Sequence, residues 1–446
     1  MRTTRGRALK RHRPSVFVAA GALFALGPYL VRPVRTEQLF AYTIFALGAP
    51  VFMARLRSVR PPSLLVIIPL LTFLLLWPVA VSVFTVGPEA ALDTATLARI
   101  DNFFLPIAVL VGMSGLSNRW SRSDTDRALL AFSTTWLLAL ALHALLVVVH
   151  VGLVDLSPVF QPFLGASLQG ESRILWERAA DAGRFTGIFS SPFEAGLCYS
   201  LAFLLTIGRV SADRRIPTWE LMALALVLVG GVLTLSKAFV LVGLPLALLL
   251  GVPPAIGAMA RRGRVIRGLS IGAGVALVVL LPIGRLLTQW VGWTKLRRLV
   301  QLIFSDQALR VASGGRFSSE GTGTVQRRAA EVLADQPLTG LGIHVHETAD
   351  NAYFEYLLVG GLPEAAVFVI LLISLAYLFS RVDRQYRRLG IFLAFFLFLA
   401  SSGAPVIVKN RFALAFWVAA FLILRTQPRL VETTGEVPRA APQPFR

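Results

Sequence analysis

Three things are scarce in this chain of 446 residues: cysteine, acid and long polar stretches. A single cysteine, Cys198, leaves no intramolecular disulfide and no multi-cysteine metal site. Acids number 24 against 44 Lys and Arg, a formal net charge of +20. Only 15% of residues are charged while 55% are hydrophobic, and the mean hydropathy is +0.69. That leaves too little polar surface to solvate a water-soluble body of this length, so the chain does not divide into soluble domains. The bilayer is its main solvent. Nor is the positive excess a nucleic-acid footprint. The basic residues fall in short clusters between apolar runs, which is the pattern that orients helices across a membrane.

Apolar stretches long enough to cross a hydrocarbon core of roughly 30 Å begin near Val16, Leu39, Leu64, Phe103, Leu129, Ala195, Leu221, Ala238, Leu269, Ala352, Ile391 and Phe412. The expectation is an all-α polytopic membrane protein with about 12 transmembrane helices. A cytoplasmic N-terminus gathers Arg55, Arg57, Arg60, Arg119, Arg122, Arg127, Arg209, Arg214, Arg215, the run Arg261 to Arg267 and Arg381 to Arg388 on one side, with both termini. Residues 1–15 then form a basic cytoplasmic tail, 16–425 the bundle with external loops at 153–194 and 288–351, and 426–446 a disordered tail. The basic-then-apolar N-terminus is similar to a secretory signal, but lacks a small-residue cleavage site and reads as an uncleaved first helix.

The two long external loops hold the unusual residues. Leu296, Leu299, Val300 and Ile303, after Trp290 and Trp293, have the spacing of an interfacial helix. Val325, Ala329, Val332 and Leu333 repeat it after Ser313-Gly314-Gly315; Arg328 then lies beside the apolar stripe, and Arg327 points away where it can pair with Glu331. Cations break the orienting pattern here: Arg184, Arg285, Lys295, Arg297, Arg298, Arg310, Arg316, Arg327 and Arg328, with Lys237, Lys409 and Arg411 in short turns. Singly, each reads as a solvated residue or a lipid head-group contact. As a set they point to an anion, and guanidinium groups at the lip of a membrane cavity suit a diphosphate, whose oxygens they bind in bidentate fashion.

Of the five histidines, His143 and His150 lie on one span and read as hydrogen-bonded packing residues. His344 and His346, with Glu347 and Asp350, sit where a proton acceptor could work at the water–membrane boundary. Two alternating histidines on an irregular loop are weak metal ligands, and no metal or cofactor is expected. Gly340-Leu341-Gly342 belongs to no strand–turn–helix unit, which excludes a dinucleotide site.

Four segments carry a family likeness. They are Arg184-Phe-Thr-Gly187 through Pro192-Phe-Glu-Ala-Gly196, Leu233-Thr234-Leu-Ser236-Lys237, Leu333 through Pro337-Leu-Thr-Gly340-Leu-Gly342, and Asp350-Asn351-Ala-Tyr353 through Gly360-Gly361-Leu362. In order and spacing, and with a large external loop between the ninth and tenth spans, the chain resembles the O-antigen ligase and O-antigen polymerase superfamily. The resemblance implies a metal-independent, GT-C-like glycosyltransferase of the bacterial inner membrane, with its active site facing outside. Its donor would be a glycan on undecaprenyl diphosphate, and its acceptor a second lipid-linked repeat unit or lipid A-core. By position, Arg184 matches the Arg before the glycine–proline motif, Lys237 stands where Arg is usual, Arg316 matches the loop Arg, and Asp350 stands where ligases carry His before Asn.

Lys keeps the charge but loses the bidentate fork, and the Asp-Asn pair is closer to polymerases. On this reading Arg184, Lys237, Arg316 and Arg328 bind diphosphate, Asp350, His346 or His344 serves catalysis, and Asn351 and Tyr353 hydrogen-bond sugar or fix the loop. The expected partners are the lipid-linked glycan, the bilayer and a chain-length regulator, with no nucleic acid. A ligase is the near alternative, and a transporter or flippase the alternative of another class. Against a carrier, the spans are nearly free of acids away from their ends, Glu364 excepted, and no half resembles the other.

Overall fold

The computed structural model describes residues 3–31, 34–56, 61–91, 93–164, 177–210, 217–259, 294, 325–345, 351–408 and 410–427. They are mostly helical. The elements in order are α1 (Thr3–Phe24), a small antiparallel hairpin β1 (Tyr29–Val31) and β2 (Val34–Arg35), α2 (Thr36–Ala54), α3 (Leu64–Val86), α4 (Pro88–Ala91), α5 (Thr94–Ser117), α6 (Arg122–Gly152) and α7 (Ser157–Leu164). There follow α8 (Pro192–Val210), α9 (Thr218–Leu233), a π-helical turn Ala238–Gly243 running into α10 (Leu244–Met259), α11 (Val325–Asp335), α12 (Ala352–Ser380), α13 (Arg384–Ala400) and α14 (Asn410–Leu424). The first helix begins at Thr3, within the basic segment read as a tail.

Among the described residues, five helices are long and apolar enough to cross a membrane: α2, α3, Thr96–Ser117 of α5, α6 and α12. Four shorter apolar helices accompany them, Pro14–Phe24, Thr218–Leu233, Ala238–Gly251 and Arg411–Leu424. In an apolar medium the backbone must bond to itself, which is why these runs are helical. Side-chain caps mark the starts of α5, α6 and α12. Asp93 accepts from the Thr96 N–H, Ser121 forms a capping box with Asp124, and Asn351 accepts from the N–H groups of Tyr353 and Phe354. The span expected from Leu269 and the helix expected at Leu296 to Ile303 lie outside the described residues, as does the tail beyond Gln427.

Small residues let helices touch backbone to backbone. A Cβ on Gly112 of α5 would come within 2.7 Å of the Ile44 carbonyl carbon of α2, so the two helices close over glycine. α14 is the central post, with every residue from Phe412 to Leu424 at most 2% exposed, as an apolar helix without a polar face requires.

Side-chain bonds separate two ends of the bundle. At one end Arg122 pairs with Asp383, Tyr386 Oη donates to Asp126 (3.0 Å), Arg388 donates to the Leu249 carbonyl (2.7 Å), and Arg425 donates to Ser117 and Trp120 carbonyls. Arg209 and Glu220 form a buried pair at 2.7 Å nearer the interior, where Arg209 also donates to Ser133 Oγ and Thr134 Oγ1. The opposite end carries the described parts of all four motif segments.

α12 is broken where Gly361 adopts φ 69° and ψ −162°, with Pro363 just beyond. A break frees backbone groups that an apolar interior cannot leave bare. Here the Pro337–Gly342 segment supplies the partners. Leu341 N–H donates to Leu358 O, Gly342 N–H to Val359 O, and Leu362 N–H to Pro337 O, each at 2.8 Å. Trp77 Nε1 of α3 closes the set with a 2.8 Å bond to Gly360 O.

Candidate functional site

The first two motif segments meet directly. Phe185 N–H donates to Leu233 O at 3.1 Å, and a Cβ on Gly196 would overlap Ser236 Oγ. Leu235 takes a left-handed φ of 47° in the turn from α9 to the π-helical turn, and the flanking Thr234 and Ser236 are buried. Thr234 Oγ1 donates to Gly231 O (2.7 Å) and accepts from Ser236 N–H (3.2 Å), replacing the helical bonds lost there. Lys237 follows, half-buried at the head of the π-helical turn.

This region holds buried donors that have no acceptor among the described residues: Arg184 Nε, Thr186 Oγ1 and Ser236 Oγ. Burial pulls the Arg184 pKa below its ordinary value, but guanidinium starts so high that it keeps its charge at neutral pH. The neighbouring acid, Glu194, accepts at Oε2 from Ser190 N–H and Oγ, while its Oε1 is buried without a partner. An unpaired buried N–H or O–H costs about 1–3 kcal/mol. Three of them lie on two docked segments, and each can donate to an oxyanion.

The loop between Arg184 and α8 dips into the bundle. Ile188 N–H reaches His143 Nε2 (3.2 Å), nine residues or about 13 Å of helix rise below the end of α6. His143 is buried, its other nitrogen 2.7 Å from Tyr199 Oη, which agrees with the packing role read from the sequence. His150, on the same helix, accepts from Leu156 N–H at 3.0 Å. From α14, buried Arg411 donates to Ile188 O (3.3 Å) and Phe163 O (2.9 Å), with Glu37 Oε1 4.0 Å from its Nε.

The third and fourth segments meet at the α12 break. Ala329 and Val332 of α11 are buried, and Val332 packs against Leu358 with Leu341 and Phe354. Arg328 sits half-buried beside this stripe, as its spacing predicts. Leu333 departs from expectation: 43% exposed, it falls off the stripe, which Ala329 and Val332 complete by themselves. His344 is held through its N–H (3.2 Å) and Nδ1 (3.0 Å) to Ser82 Oγ. Asn351 Oδ1 caps α12, and Tyr353 Oη donates to Phe398 O at 2.8 Å, so both fix the loop and helix start. Arg316, His346 and Asp350 lie outside the described residues.

Two arginines have site roles that sequence did not single out. Arg99 of α5 donates to Ile343 O (2.9 Å) and Val345 O (2.6 Å) and pairs with Glu355 at 3.3 Å, strapping the segment that leads to His346. Arg411 was visible only as one more cation in a short turn. The two halves of the site share one end, because Ala352 N–H bonds Ser401 O (2.9 Å) and a Cβ on nearby Gly403 would meet the Phe193 ring at 2.7 Å. Compared with protein-family models and with curated proteins, the chain matches none.

Proposed function

We propose that this chain is a membrane glycosyltransferase that joins lipid-linked oligosaccharide units, taking its donor glycan from undecaprenyl diphosphate and acting as a polymerase. On this reading it is an inner-membrane protein of about 12 spans with a GT-C-like fold, both termini cytoplasmic and the site outside. The observation that carries the proposal is the group of buried, acceptor-free donors on Arg184, Thr186 and Ser236 at the junction of two motif segments.

A sugar on a lipid diphosphate is already activated, so chemistry outside the cytoplasm needs no nucleotide. The acceptor hydroxyl oxygen attacks the anomeric carbon opposite the diphosphate, the bond from that carbon to the phosphate oxygen breaks, and configuration inverts. Negative charge grows on the departing diphosphate. Arg184, with Lys237, Arg316 and Arg328, stabilises it in a site poor in water, where preorganised donors are commonly worth several kcal/mol. The hydroxyl proton passes to Asp350 or His346. Asp350 before Asn351 favours a second lipid-linked unit over lipid A-core as acceptor.

Purified protein in lipid nanodiscs, given lipid-linked oligosaccharide, should release undecaprenyl diphosphate and form longer glycans. Arg184→Ala should slow this at least about a hundredfold, by the roughly 2.7–4 kcal/mol that loss of one such donor costs. Relocation of the lipid without release of diphosphate would make the chain a carrier and overturn the proposal.

A further inference from the structure

We infer that His143 and Arg411 are positioning residues that grip one loop residue, Ile188, by both its backbone N–H and its carbonyl, and so hold the Arg184 loop in place. Only the consequence for ligand binding rests on the proposed function; the grip stands on geometry.

The loop is irregular backbone sunk below the end of α6, where its polar groups need partners from the protein. It is anchored at two points. One is the bond from Phe185 N–H to Leu233 O (3.1 Å). The other is Ile188, whose N–H enters His143 Nε2 at 3.2 Å and whose carbonyl receives Arg411 Nη1 at 3.3 Å. Because Nε2 accepts, the neutral ring carries its proton on Nδ1, which donates to Tyr199 Oη at 2.7 Å. The Ile188 N–H, which can only donate, therefore fixes the tautomer, and Tyr199 Oη, able to donate or accept, follows it. Gly187, at φ 57°, gives the ring room, since a Cβ there would overlap Nε2.

Arg411 uses the whole guanidinium plane. Nη1 serves Ile188, Nη2 reaches Phe163 O (2.9 Å), Nε faces Glu37, and the rings of Phe163 and Phe189 lie 6.0 and 5.9 Å from its central carbon. Lysine has the charge without the fork. Helices α6, α8 and α14 thus converge on one loop residue, with α2 and α7 behind them. Arg184, four residues before Ile188, meets an anion with its loop already ordered, which removes part of the entropic cost of binding.

The test uses a nitroxide on Asp181→Cys, an exposed position just before the loop; the native thiol, Cys198, is fully buried. Label mobility and undecaprenyl diphosphate affinity are measured in nanodiscs. His143→Leu and Arg411→Met should loosen the label and weaken binding about tenfold, equivalent to 1.4 kcal/mol. His143→Gln, which offers an acceptor to Ile188 and a donor to Tyr199, should restore both. Arg184→Ala should weaken binding and leave the label unchanged. Unaltered mobility in folded His143→Leu and Arg411→Met overturns the inference. If those variants do not fold, Arg411→Lys should still loosen the label while His143→Gln does not, and equal mobility in the two overturns it. A loosened loop combined with full binding by Arg184→Ala upholds the grip and removes the diphosphate reading.

Discussion

Replacing Gly361 with alanine attacks the α12 break at its tightest point. The φ of 69° and ψ of −162° lie in a region open essentially to glycine alone, at a cost of about 1–3 kcal/mol for other residues. The added Cβ would also stand 2.6 Å from Pro337 O and 2.9 Å from the Leu338 carbonyl carbon. Both are backbone atoms, so the clash is relieved only if the docked Pro337–Gly342 segment backs away. That movement strains the three 2.8 Å bonds joining it to α12, each worth about 0.5–1.5 kcal/mol net. If all three bonds are lost the sum is about 2.5–7.5 kcal/mol from both sources. Expected outcomes are a clear fall in the thermal unfolding midpoint in nanodiscs and faster proteolysis between α11 and α12. Gly251→Ala is the control, because a Cβ there meets only Ile207 Cγ2, at 3.3 Å. Wild-type proteolysis and midpoint in Gly361→Ala would show that the segment is not latched to the break.

The buried Arg209–Glu220 pair gives a second outcome: Arg209→Met leaves a buried carboxylate unpaired and should cost about 3–5 kcal/mol, whereas Arg209→Met with Glu220→Leu should recover most of it in the same unfolding assay. Asn351→Ala should cost about 1 kcal/mol of helix cap and Asn351→Asp little. If Asn351→Asp is stable yet loses glycan elongation, the side chain contacts substrate as well as capping α12.

Much of the bundle was legible in the chain itself. Apolar runs announce α3, α6 and α12 because a helix in an apolar medium is a local solution, closed by bonds four residues apart. The spacing of Val325, Ala329, Val332 and Leu333 announced α11 for the same reason, although Leu333 itself is exposed. The arrangement of the site was less legible. Arg184 stood out as a cation in a loop, but that its Nε is buried without an acceptor is visible only in the folded chain. Arg411 looked like any cation in a turn, and Arg99 like a residue near a helix start. What they hold are carbonyls 223 and 244 residues away in sequence, contacts for which no local pattern exists. Helix existence and the motifs therefore belong to the sequence. Which loops are gripped, which glycine break is patched, and which donors are left waiting belong to the tertiary structure, because burial and backbone partnership are settled only when distant segments pack together.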